Sequence, residues 1–214
     1  MFPTAFRRIC GPSLRVLRRA PGVLAGGRRA GGPRAAALAL RVFVAALALA
    51  GGLAACSPTY DWRAVTNNAS GYSVDLPAKP RSDQREVEID GTPMHMHMQM
   101  AEVDDVLFVV GTVQLPDDRP ETQQRALAFL RAGLARNVGA APDARDVAVP
   151  VATGGSVGGI EMRLSGKAGE KAESRTIHAR LVAKGARAYE VAIVGRAEPP
   201  VEQVDQFFQS FRLY

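Results

Sequence analysis

The chain of 214 residues carries 27 lysines and arginines against 21 aspartates and glutamates, a formal charge of +6. Nine of those basic residues are arginines preceding Cys56, where no acidic residue occurs, so the remainder has 18 basic against 21 acidic side chains. That mildly acidic, mixed-sign balance excludes a nucleic-acid partner, which needs a basic surface, and the two cysteines, Cys10 and Cys56, exclude a disulfide-stapled scaffold.

An uninterrupted apolar run, Val42-Phe43-Val44-Ala45-Ala46-Leu47-Ala48-Leu49-Ala50, follows Arg41. A basic leader, a short apolar core and small residues at a cut site form a secretory signal. Here the cut site ends in cysteine, and Leu53-Ala54-Ala55-Cys56 resembles the lipobox of bacterial lipoproteins. The resemblance implies cleavage between Ala55 and Cys56, a diacylglycerol thioether on Cys56, and an acyl chain such as palmitate on its new amine. Several chains anchor stably where one holds only marginally. The protein is then expected to face the periplasm, attached to a membrane through the lipid on Cys56. Ser57 stands where the lipoprotein sorting pattern places aspartate for inner-membrane retention, which implies the outer membrane. Residues 42–55 fall short of the ~20 apolar residues of a spanning helix, and Pro58, Asp61 and Arg63 follow directly. The expected organisation is a removed leader over 1–55, a lipidated tether over 56–70, and one domain over 71–214.

The tether is polar and aperiodic, with Trp62 placed to dock it onto the domain. Tyr72, Val74 and Leu76 alternate with polar residues and predict a first strand ending at Pro77. A second strand spans 85–89. Asp90-Gly91 is a two-residue hairpin signal, since both positions of that turn need positive φ. The return strand is Met94-His95-Met96-His97-Met98-Gln99-Met100. The apolar run over 106–115 predicts a central strand covered on both faces. A helix follows, with Asp117 and Asp118 as capping oxygens, Pro120 in the first turn, Leu127, Leu130, Leu134 and Val138 on one face, and Gly139 as terminator. Strands are expected around 147–149, 160–164, 177–183 and 189–193. Pro199-Pro200 opens a C-terminal helix with Val201, Val204, Phe208 and Phe211 on one face.

These elements predict an α+β fold: an antiparallel sheet of six or seven strands covered by a mid-chain helix and a C-terminal helix. Their order, the opening Gly71-Tyr72-Ser73-Val74-Asp75-Leu76-Pro77 and the closing Phe207-Phe208-Gln209-Ser210-Phe211 resemble the PsbP-like sandwich. The resemblance covers 72–214 and implies an assembly or binding role without catalysis. It supplies no active-site residues.

Three patterns carry candidate chemistry. Alternation puts Met94, Met96, Met98 and Met100 on one face of a strand and His95 and His97 on the other. Thioethers select Cu(I) and imidazoles accept several metals, so Met94, His95, Met96, His97 and Met98 are a candidate copper site. The competing reading makes the methionines adaptable packing on a half-buried strand. Gly154-Gly155-Ser156-Val157-Gly158 matches a nucleophile elbow, but a strand rather than a helix follows Ser156, which points to a glycine-rich hairpin loop. His178 alternates with Ile177 and Ala179 and is expected on a solvent face. No enzyme signature emerges. The sequence thus favours a non-catalytic lipoprotein without a cofactor that binds an envelope protein, with a periplasmic Cu(I)-binding protein as the alternative.

Overall fold

The computed structural model describes residues 59–169 and 172–214, which fall in the compact unit Ser57–Tyr214. The expected cleavage and lipidation residues, Ala55 and Cys56, lie outside the described residues. The fold is α+β. Seven strands form one antiparallel sheet in the order β3-β4-β5-β9-β8-β7-β6, comprising β3 (Arg81–Ile89), β4 (Thr92–Val103), β5 (Val106–Gln114), β6 (Asp143–Pro150), β7 (Ser156–Ala168), β8 (Glu173–Ala183) and β9 (Arg187–Gly195). Three shorter strands, β1 (Arg63–Asn67), β2 (Tyr72–Leu76) and β10 (Arg212–Leu213), form a second sheet in the order β1-β2-β10.

Each face of the large sheet carries its own core. Helix α1 (Pro120–Val138) covers one face, where Ala126, Leu130, Leu134 and Val138 meet Met162, Leu164, Ile177 and Leu181. The small sheet and helix α2 (Val201–Ser210) cover the other, where Tyr72, Leu76, Phe207, Phe208 and Phe211 meet Phe108, Val110, Val191 and Ile193. Strand β5 is therefore buried from both sides, as its continuous apolar run requires. Its hairpin partners follow turn chemistry: Asp90 and Gly91 take φ of 50° and 77°, and Asp104 and Asp105 take 49° and 63°.

The stretch expected as a tether is partly structured. Residues 63–67 form β1, antiparallel to β2 with Asn67 opposite Tyr72. Tyr60 and Trp62 stack upon each other and set their rings edge-on against Phe108, and Trp62 Nε1–H donates to Gln203 Oε1 at 3.1 Å. Strand β1 has one half-buried apolar residue, Val65, so periodicity alone leaves it invisible; pairing with β2 fixes it. Two helix starts also differ from expectation. Asp117 does not cap α1: its carboxylate accepts the Arg119 backbone N–H at 3.1 Å and binds the Arg119 guanidinium. Val201 is 62% exposed, and the buried face of α2 runs through Val204, Phe207 and Phe208 instead.

Candidate functional site

The small sheet stops short of the edge formed by β3 and β4, so the turn between β1 and β2 overhangs the large sheet and bounds a cleft. It encloses about 280 Å³ between Asn67, Ser70 and Tyr72 on the overhang and His97, Gln99 and Thr112 on β4 and β5, with Arg187 of β9 closing one end. The turn is built by its own sequence. Asn67 Oδ1 accepts the Ser70 N–H at 2.9 Å, and Gly71 takes φ of +72°, which L side chains rarely adopt. A Cβ at Gly71 would lie 3.0 Å from Arg187 Nη1, so this glycine also gives the guanidinium room to lie against the turn.

The acceptors of the overhang are already engaged. Arg187 Nη2–H donates to the Ala69 carbonyl at 3.2 Å, and Tyr189 O–H donates to the Ser70 carbonyl at 2.9 Å. Gln99 Oε1 takes Tyr72 O–H at 2.8 Å and Asn67 Nδ2–H at 3.4 Å. Burial pushes the Tyr72 phenol up to about 12 against the opposing effect of the Asn67 hydrogen bond, so it stays a donor. The donors are less well served. Thr112 is only 3% exposed, yet its Oγ1 has no partner among the described residues, and neither does the buried Arg187 Nε. Such orphans cost free energy unless something binds them. Asp83 is the one carboxylate lining the cleft; it sits exposed on edge strand β3, and its Oδ1 accepts the Gln84 N–H at 2.8 Å.

A second polar cluster lies across β6, β7 and β8 on the same face. Glu161, 3% exposed, accepts Arg180 Nε–H at 2.6 Å and also pairs with Arg145. Burial alone would raise this carboxyl, but hydrogen bonds from Arg145 and Arg180 and nearby positive charge hold it down to about 2. Arg180 also lies 4.7 Å above the Phe208 ring. His178 does not face solvent: α2 covers it, its ring is 4.6 Å from that of Phe208, and it is 6% exposed. Its nitrogens stand 3.4 Å from Glu161 and 3.4 Å from Glu198, and burial lowers its basicity despite both carboxylates. The cluster joins three strands to α2, and its central carboxylate is saturated by guanidinium groups, an arrangement for holding elements together.

The methionine strand separates its candidate ligands. Met96 is buried in the α1-side core; its Sδ accepts Arg85 Nη2–H at 3.4 Å, and its methyl fills the space that a Cβ at Gly111 would need. Met94, Met98 and Met100 are half-buried on that same face, whereas His95 and His97 are exposed on the other. Alternation thus sets the thioethers and imidazoles on opposite faces of β4, and both His97 and Met98 border the cleft. Among the described residues, no three of His, Cys, Asp and Glu are grouped as metal ligands. Ser156 is exposed and pairs with Pro150 at the start of β7, so a strand follows it, as the hairpin reading requires.

Apart from His97 and Met98, the cleft residues escaped sequence reasoning because they come from six separate strands and one turn. The only local signal was Asn67 with Gly71, a turn pattern without a hint of what it overhangs. Among the described residues, no helix is long and apolar enough to cross a membrane. No protein-family model matches the chain, and no curated protein is significantly similar to it.

Proposed function

We propose that this protein is a non-catalytic periplasmic lipoprotein, held to the outer membrane through a lipid on Cys56, that binds a partner or ligand in the cleft beneath the β1–β2 turn. The observation that carries this reading is the cleft's position. The chain enters the unit at Tyr60 and Trp62, where the Asp61 N–H donates to the Pro77 carbonyl at 2.8 Å, and the cleft lies at the other end of β1. Five strand residues separate the two ends, roughly 16 Å. The described chain thus begins at the end of β1 away from the cleft.

Binding suits the cleft better than catalysis. Thr112 and His97 stand opposite each other on β5 and β4, but no hydrogen bond joins them, and no carboxylate orients the imidazole among the described residues. A nucleophile needs both connections. The resemblance to PsbP-like proteins, mostly binding and assembly modules, points the same way.

A photo-crosslinking amino acid placed at His97, on the cleft, and at Val201, near the tether end, tests the proposal in whole cells. The cleft position should form a defined adduct detectable by mass spectrometry, and Val201 should not. Equal labelling at both positions, or none at His97, would remove the cleft from the account.

A further inference from the structure

We infer that the cleft recognises a carboxylate group, held by Arg187, Thr112 and Gln99. The inference rests on the reading of the cleft as the binding site and adds the chemistry of what enters it. Three observations meet there. First, the acceptors on the overhang are engaged: the Ala69 carbonyl by Arg187, the Ser70 carbonyl by Tyr189, and Gln99 Oε1 by both Tyr72 and Asn67. Second, donors remain. Arg187 Nε–H and the Thr112 hydroxyl have no partner among the described residues, and Gln99, whose Oε1 already accepts two hydrogen bonds, offers its amide N–H groups as donors. Third, no ion pair joins the half-buried Arg187 to a carboxylate among the described residues, whereas Arg180 and Arg196 each have one.

A half-buried guanidinium beside two neutral donors complements the two oxygens of a planar carboxylate. One cation and two neutral donors, with the Asp83 carboxylate on the rim, are too few partners for the four oxygens of a tetrahedral phosphate. The volume of about 280 Å³ sits at the lower end of ligand pockets, which fits a small acid or the last residues of a peptide. Thr112 is the discriminating residue. A buried hydroxyl without a partner weakens the empty protein, so its value lies in a bound state.

Calorimetric titration of the full-length protein in detergent tests this with four probes: trialanine, trialanine amide, succinate and inorganic phosphate. The expected result is saturable binding of trialanine or succinate, at least tenfold weaker for the amide and for phosphate. Trialanine alone would identify a peptide terminus, and succinate alone a free diacid. Thr112→Val should lose at least tenfold in affinity while its Tm rises by roughly 2–4 °C, since a methyl replaces the orphan hydroxyl. Arg187→Lys should weaken binding while keeping the fold. Phosphate or the amide binding as well as the acids would overturn the carboxylate assignment, as would unchanged affinity or a lowered Tm in Thr112→Val. If no probe binds, the assignment falls, and the His97 crosslink then decides the wider reading: an adduct keeps the cleft with another ligand, and its absence removes both.

Discussion

Glu161 on β7 stands directly across from Arg180 on β8 and accepts its Nε–H at 2.6 Å, with Arg145 of β6 closing on the same carboxylate. This pairing ties three strands together, and Arg180 extends it to α2 by donating Nη1–H to the Phe208 carbonyl at 3.1 Å. Removing one partner of a buried pair leaves an uncompensated charge, so Glu161→Gln should lower stability by about 3 kcal/mol at pH 7. The pH dependence has a fixed sign. The folded carboxyl is held to about 2, below its ordinary 4.5, so its stabilisation is complete above pH 4.5 and fades as pH falls toward 2. Urea denaturation across pH 3 to 7 should show the gap between wild type and variant narrowing on the acid side. A gap that stays constant would contradict the ion-pair account.

Glu190 on β9 should behave in the opposite sense. Burial pushes its carboxyl up to about 7 from 4.5, against the pull of Arg85. The folded state therefore keeps a proton that the unfolded state releases, and stability falls as pH rises from about 4.5 to about 7. Glu190→Gln should match wild type near pH 4 and exceed it by up to about 3 kcal/mol at pH 8. Identical pH profiles for the two proteins would show that Glu190 ionises normally.

Gly71 links turn geometry to the cleft. Alanine there meets both the φ of +72° and a contact of 3.0 Å with Arg187 Nη1. Gly71→Ala should cost about 1 kcal/mol or more and displace the guanidinium. Trialanine or succinate affinity should fall along with Tm. A variant of lowered Tm and unchanged affinity would show that Arg187 does not depend on this turn.

The strand architecture was legible in the sequence wherever a local rule acts alone. Asp90-Gly91 fixes its hairpin, the apolar run of β5 fixes a strand buried on both faces, and Gly139 ends α1 with φ of 63°. What escaped depends on partners distant in the chain. Strand β1 has too little apolar character to declare itself and exists because β2 pairs with it. His178 obeys the alternation expected of it, but the face it points to is roofed by Phe208, 30 residues later. The cleft is harder still: Thr112 reads as an ordinary strand threonine until the overhang of residues 67–72 closes above it.

The methionine strand gives a sharp stability test. Met94→Leu and Met98→Leu keep volume at half-buried positions and should each cost under about 1.5 kcal/mol. Met96→Leu should cost more than either, because a branched side chain does not reach the hollow above Gly111 that the Met96 methyl fills. The packing reading also predicts that the triple variant and wild type fail equally to draw Cu(I) from a competing chelator at neutral pH. Stoichiometric copper uptake lost in the triple variant would establish a thioether site instead.

The proposed attachment through a lipid on Cys56, three residues before Thr59, has a direct test. The measurement is the mass of the N-terminal peptide of the protein purified from bacterial membranes. The account predicts a peptide beginning at Cys56, with a diacylglycerol on sulfur and an acyl chain on the amine, and its loss in Cys56→Ala. A membrane-derived peptide that begins upstream of Ala55, or a Cys56 with a free thiol, would contradict it.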